Sequence, residues 1–442
     1  MVFIALQYMS KYLARLKTRL LQKRLIVKSL SISFISQAVS SLTNFCIVLY
    51  LVRVLDKIQF GQYSFGFALI LFISGLICAF IGVQFVVNLP DQPLESRATY
   101  TLHHLVLIIM GGFIILCLAF ISKIIIKTTF SDLSVLKLIF PIAVASVLYA
   151  LHDLLMRFAF SERREGLVFG SNVVVAVTIT ALFLAISVTG HSINASSALY
   201  TYAIGQAAGS IQAIIIFNLP WCDVNLPKII QAFYDSWAGG RWHILTTLVY
   251  SLRAQTHNFV IAPILGFAAL AEVNAARLLL TPAIMAIPPS TQVIMPRLAE
   301  QRVKGNKKLF QTSMIWIVTL FSIAIIYSML LLFLSPWVVP LALGKEYSHT
   351  GPLILIWCFA IMFFAFRNGV SVALLVIRSF RQLFYANIVA TILTVVFAIT
   401  LSRIFGAGGA VFAFAFSEFL LSIILFVLLR TQLANEKQHR TR

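Results

Sequence analysis

The sequence predicts an all-α, polytopic membrane protein, with about twelve transmembrane helices in two six-helix lobes related by pseudo-two-fold symmetry. Three observations lead there. Hydrophobic residues make up 60% of the 442 positions and charged residues only 11%, with a mean hydropathy of +0.96. A water-facing globule carries about 25% charged residues. Apolar runs near the roughly 20 residues that a helix needs to cross a bilayer recur until they nearly exhaust the chain. Finally, Lys and Arg collect in alternate connections between those runs, as they do when each run is a span.

Taken in order, the chain opens with MVFIALQYM and only then carries bases, from Lys11 to Lys28. A signal peptide places charge before its apolar stretch. The order here is reversed, so 1–29 reads as a basic amphipathic segment on the inner membrane surface. Runs bounded by charges, Gly or Pro place six spans at 30–53, 61–89, 101–122, 134–158, 166–189 and 197–217. The longest internal connection, 218–240, is polar and contains Pro220, Pro227 and Gly239-Gly240. It is the predicted cytoplasmic linker between an N-terminal lobe, 30–217, and a C-terminal lobe, 241–430. The second lobe's spans fall at 241–264, 268–296, 310–334, 351–377, 381–403 and 407–430, leaving 431–442 as a cytoplasmic tail.

Charge tests this map. The formal net charge is +20, from 34 Lys+Arg against 14 Asp+Glu. With the N-terminus inside and bases at span ends counted with the adjoining connection, 24 of the 34 bases fall on the inner side, 7 fall outside, and Arg253, Arg277 and Arg367 remain well within spans. One misplaced span would mix the two sets, so both termini are expected to be cytoplasmic. No basic domain with interleaved aromatics lies outside the spans, so nucleic acid is not an expected partner. The halves also look related. At an offset of 210, Val39, Ser41, Leu42 and Leu55 meet Val249, Ser251, Leu252 and Leu265. Repeats that both start inside are related by an axis along the membrane normal, and such pairs place substrate between them near the midplane.

Polar residues in the spans point to that site. Ser33, Gln37, Ser40 and Asn44 form one stripe along span one; Thr246, Tyr250, Arg253 and His257 repeat its spacing in span seven. Such stripes either bond helix to helix or line a cavity. Arg253 lies near the middle of span seven, Arg277 shares a face with Asn274 in span eight, and Arg367 lies in span ten. Burying an Arg at a helix centre costs roughly 2.5–3.5 kcal/mol even on mild scales, so these arginines line water, pair with acids, or both. Guanidinium suits phosphate oxygens, which makes a phosphate-bearing anion the expected substrate. Asp153 and Glu418 are the clear intramembrane acids; either is a candidate ion-coupling group or a partner of an arginine. Span eight carries Pro282, Pro288, Pro289 and Pro296, which predict a static kink or a bending element. Gly205 and Gly209 form a GxxxG in span six, as close helix packing requires.

Other classes find no support. No GxSxG, HExxH, P-loop or paired acidic motif occurs, so neither an enzyme nor an ATP-driven pump is expected, and no cofactor is implied. The five cysteines are scattered without metal-ligand spacing, so no metal is expected.

Three passages resemble a known family: Arg53 to Tyr63 (RVLDKIQFGQY), Pro289 to Leu298 (PSTQVIMPRL), and Gly406-Ala407-Gly408-Gly409-Ala410 followed by Ser417-Glu418. They are similar to the R-x-L-x4-F-G-x-Y, P-x3-V-x2-P-R-L and Gly-rich signatures of the multidrug/oligosaccharidyl-lipid/polysaccharide exporter superfamily, in its polysaccharide transporter branch. The nearest look is to Wzx-type O-antigen flippases. The resemblance implies a MATE-like, V-shaped pair of lobes. It also implies an undecaprenyl-diphosphate-linked oligosaccharide as substrate, a bacterial inner-membrane location, and the company of membrane lipids and other surface-polysaccharide assembly proteins. Arginines would suit the diphosphate, and Ser, Asn, Gln and Tyr the sugar hydroxyls. A cation-coupled multidrug exporter of the same fold is the first alternative, although it should offer buried acids in span one or seven. A membrane glycosyltransferase or polymerase is the second, although it should carry a long outer loop.

Overall fold

The computed structural model describes residues 35–129 and 136–440, with their side chains except at 126–129, 288, 289, 292, 293 and 435–440. The predicted basic segment 1–29 and Ser33 lie outside the described residues. Six helices form the first lobe: α1 (Ile35–Val54), α2 (Lys57–Asp91), α3 (Arg97–Thr129), α4 (Leu136–Ser161), α5 (Glu165–Val188) and α6 (Ala195–Phe217). Side chains start them. Asp56 accepts from the Gln59 amide at 2.8 Å to cap α2, and Asn194 forms a capping box with Ser197 at the start of α6.

The second lobe contains α7 (Leu226–Leu265), α8 (Phe267–Leu278), α9 (Thr281–Lys304), α10 (Asn306–Ala342), α11 (Gly351–Val376), α12 (380–405) and α13 (407–440). Gly406, at φ 62°, separates the last two. Helices α8 and α9 meet at 60° and make one broken span. The break lies at Leu279-Leu280, with Pro282 in the first turn of α9, where its missing N–H leaves no bond unmade. Helix α7 is less apolar than the other spans because Arg253, Gln255, His257 and Asn258 interrupt it; three of these four are buried inside the protein. Counted this way, the described residues contain twelve spans.

Backbone geometry supports the repeat. Arg163, at φ 55° between α4 and α5, is matched by Arg378, at φ 62° between α11 and α12. Gly190, at φ 72° between α5 and α6, is matched by Gly406.

The stretch 218–240 is more ordered than its Pro and Gly residues suggest. Most of it is the first part of α7, with Pro227 in the opening turn. Gly239 and Gly240 are packing glycines rather than breakers. A Cβ would come within 2.5 Å of the Gln84 side chain at the first and of the Phe80 carbonyl oxygen at the second. Phe80 belongs to a π turn in α2, Cys78–Gly82, which faces α7 there.

Burial shows how the lobes sit. At the end remote from the 218–225 connection, one apolar core runs through both lobes, from Leu51, Phe60 and Tyr63 to Ile261, Leu270 and Tyr347. At the connection end the cores are separate, one built on Phe85, Leu105 and Leu155, the other on Leu298, Leu309 and Leu425. The remote end is also sealed by polar contacts. Lys57 pairs with Glu272 at 2.9 Å and lies over the Tyr347 ring, while Arg53 donates to the Leu341 and Ala342 carbonyls. A Cβ on Gly61 would overlap the Phe267 carbonyl, so this motif glycine sits where α2 and α8 come closest. The apolar cores are therefore joined at the remote end and separate toward the connection, where the first part of α7 still packs on α2 at Phe80 and Gln84.

Candidate functional site

Two of the three intramembrane arginines share one acid. Arg253 on α7 donates to Glu418 on α13 at 2.6 Å, and Arg367 on α11 donates to the other carboxylate oxygen at 2.5 Å. Exposure is 2% for Arg253, 6% for Arg367 and 1% for Glu418. None of the three lines the cavity between the lobes. A buried charge without a partner costs several kcal/mol, so the cluster ties α7, α11 and α13 together. It keeps one net positive charge, and the Arg253 Nε has no protein acceptor.

Arg277 is placed differently. It lies in the last turn of α8 and lines a cavity of about 270 Å³ between the lobes, formed by α1, α2, α7, α8 and α9. Among the described residues no carboxylate lines this cavity or lies within ion-pair distance of Arg277. Its Nη1 is 3.3 Å from His257 Nε2, and its guanidinium lies 5.5 Å from the Trp357 ring centre. Arginine only donates, so His257 accepts at Nε2 and carries its proton on Nδ1, which is buried without a protein acceptor. Beside it runs an amide ladder: Asn274 donates to Asn258 at 2.8 Å, and Asn258 donates to Gln255 at 2.7 Å. All three amides line the cavity, facing Asn44, Tyr63 and Ser64 of the first lobe. Arg277 also borders a second, largely apolar space with Tyr250, Trp357 and Phe414.

The other predicted residues gather elsewhere. Gln37, Ser40 and Asn44 line a polar pocket inside the first lobe, together with Asp153. Asn44 borders both this pocket and the cavity between the lobes. Asp153 is bonded to Arg157 one turn away at 2.5 Å. The structure thus brings Arg277, His257, Asn274 and Asn44 to one region, sets Arg253, Arg367 and Glu418 in another, and leaves Asp153 in a third. Gln255 and Asn258 line the cavity without having been singled out; the polar run Gln255-Thr256-His257-Asn258 in the middle of a span was their signal. Among the described residues no cluster of His, Cys, Asp and Glu is suited to a metal ion.

A helical body of two repeated lobes, with a cavity between them whose largely apolar wall carries Arg277 and four amides, has the architecture of a membrane transporter. The profile of the polysaccharide biosynthesis protein family matches residues 26–302, and the chain belongs to that family, within the multidrug/oligosaccharidyl-lipid/polysaccharide exporter superfamily. Among curated proteins none matches in sequence. Solved structures share the fold at low identity. Lipid II flippase MurJ in an inward closed conformation is 15% identical, with a TM-score of 0.67 over 91% of this chain and 87% of that one. A multidrug resistance MATE family transporter in its inward-facing conformation is 14% identical, with a TM-score of 0.68 over 92% of this chain and 99% of that one. An outward-facing MATE family transporter is 14% identical, with a TM-score of 0.63 over 93% and 96%.

Proposed function

We propose that the protein is a flippase that carries an undecaprenyl-diphosphate-linked oligosaccharide, the repeat unit of an O-antigen or similar surface polysaccharide, across the bacterial inner membrane. One observation carries this reading: Arg277 presents a guanidinium to a cavity between the lobes that amides line and no described carboxylate neutralises. That chemistry suits a diphosphate with sugars attached, and it is the reverse of what an organic cation needs. The family match and the likeness to a lipid II flippase support a lipid-linked glycan as the cargo class. The lobes would be 30–217 and 241–430, with 218–240 and both termini in the cytoplasm, as the loop charges favour. In that orientation the separated cores face the cytoplasm. The head group enters there, its lipid tail staying in the bilayer. Export follows when the Lys57–Glu272 seam parts and the connection end closes.

Arg277→Gln tests the reading, because it keeps size and hydrogen bonding while removing charge. Losing a charge-assisted bond is worth about 1.5–3 kcal/mol, so surface glycan should fall at least tenfold at unchanged protein abundance. Deleting the protein should leave completed lipid-linked units on the cytoplasmic leaflet. Normal glycan at normal abundance in Arg277→Gln would sink the assignment.

A further inference from the structure

The pocket inside the first lobe has a chemistry of its own. It occupies about 200 Å³ among α1, α4, α5 and α6, a space on the scale of one sugar ring. Two tyrosines, Tyr149 and Tyr202, line it, with their rings stacked at 6.4 Å and 19°. Four amides share the wall, Gln37 and Asn44 from α1, Asn172 from α5 and Gln206 from α6, with hydroxyls of α1, His152 and Asp153 beside them and apolar side chains between. Gln206 is 5% exposed, and its Oε1 is buried with no donor among the described residues. A buried acceptor of this kind is costly unless a donor reaches it. Asn172 donates to Ser36 at 2.8 Å, which fixes its amide in the pocket wall.

Charge separates the candidate occupants. Among the described residues the only carboxylate in the lining, Asp153, is already bonded to Arg157, and His152 is bonded to Ser171 at 3.0 Å; the other polar groups are amides and hydroxyls. A dehydrated cation would meet one spent carboxylate. A phosphate would find no arginine among the described residues of the lining. An alkyl chain would leave the amides unbonded. A neutral ring of hydroxyls fits: its hydroxyls reach amide donors and acceptors, and its C–H face can lie against a tyrosine ring.

We propose that this first-lobe pocket is a monosaccharide subsite, which takes one neutral hexose or N-acetylhexosamine of the head group. The inference rests on the flippase reading and sharpens it: Arg277 holds phosphate on the second lobe while the first lobe holds sugar. Asn44 borders both spaces, so its amide is within reach of an occupant of either.

The test uses the full chain in lipid nanodiscs and short-chain polyprenyl diphosphates, either bare or carrying a single glucose, galactose or N-acetylglucosamine. The wild type should bind at least one glycosylated lipid about tenfold more tightly than the bare one. Gln206→Leu and Asn172→Ala should each lose that increment while the bare lipid's Kd stays within about twofold. Arg277→Gln should weaken bare and glycosylated lipids alike. An increment that survives both pocket variants, or no increment for any sugar in the wild type, overturns the subsite and leaves the flippase reading standing. Failure of the wild type to bind bare and glycosylated lipids overturns the flippase reading, and the subsite with it.

Discussion

The two lobes share a topology and handle buried polarity in different ways. The first lobe fills its interior with hydroxyls and amides, and its intramembrane ion pair, Asp153–Arg157, closes within one helix. Small residues bring its helices together: a Cβ on Gly205 would meet Ile179 at 2.4 Å, and one on Gly209 would meet Val175 at 2.6 Å. The second lobe places charge between helices, with Glu418 on α13 holding arginines from α7 and α11. Neutral groups lose little when a neighbour shifts, because amides and hydroxyls find other partners. Buried charges have no such latitude. One repeat is thus tied together by buried charge between helices, while its twin keeps its intramembrane ion pair within a helix and shares the rest of its pocket wall among amides and hydroxyls.

The sharpest way to break this contrast is Glu418→Ala. It would leave two buried guanidiniums beside each other with no counter-charge, which should cost about 3–5 kcal/mol and collapse protein abundance. Replacing the whole cluster, with Arg253→Met, Arg367→Met and Glu418→Leu, should recover most of that loss in thermal unfolding. An unchanged melting temperature in the single variant would show that the second lobe is not held by charge.

A smaller effect is expected where the lobes touch. Gly61→Ala and Gly240→Ala both push a methyl against backbone carbonyls of the opposite lobe, and overpacking of this kind costs about 1–3 kcal/mol. Gly61→Ala should also weaken the remote seam, raising labelling of a cysteine placed at Glu272 by a membrane-impermeant reagent from outside. Equal labelling with and without Gly61→Ala would remove this glycine from the seam.

Asp153→Asn should matter least. Its ion pair with Arg157 is partly exposed and lies within one helix, where such pairs contribute about 1 kcal/mol or less. A loss comparable to that in Glu418→Ala would erase the distinction between the lobes.

Much of the fold was legible because bilayer thickness imposes a length on each span. Span four was expected at 134–158 and lies at Leu136–Ser161; span five was expected at 166–189 and lies at Glu165–Val188. The extra helix at 226–240 was harder to read, because Gly239-Gly240 looks the same in sequence whether it breaks a helix or lets Phe80 and Gln84 approach. The same limit applies to the site. Intramembrane arginines are visible from their cost, but their partners depend on which helices meet. Glu418 lies 165 residues from Arg253 and 51 from Arg367, and no periodicity connects positions so far apart. Two acids in the spans signalled that an arginine could find a partner; that Glu418 would take two of them followed from the packing of α7 and α11 on α13.

Helix α7 has 40 residues, about 60 Å at 1.5 Å per residue, twice the roughly 30 Å of bilayer hydrocarbon. Its surplus turns lie at the connection end, where Tyr234, Trp237 and Trp242 are exposed. Aromatic residues of this kind settle at the headgroup level, so they set how deeply the second lobe is immersed. Phe80 of α2 packs against Phe233 and Trp237, so a change in immersion is felt at once by the first lobe. If these rings follow the headgroups, a change in membrane thickness is carried to the first lobe through the α2–α7 contact.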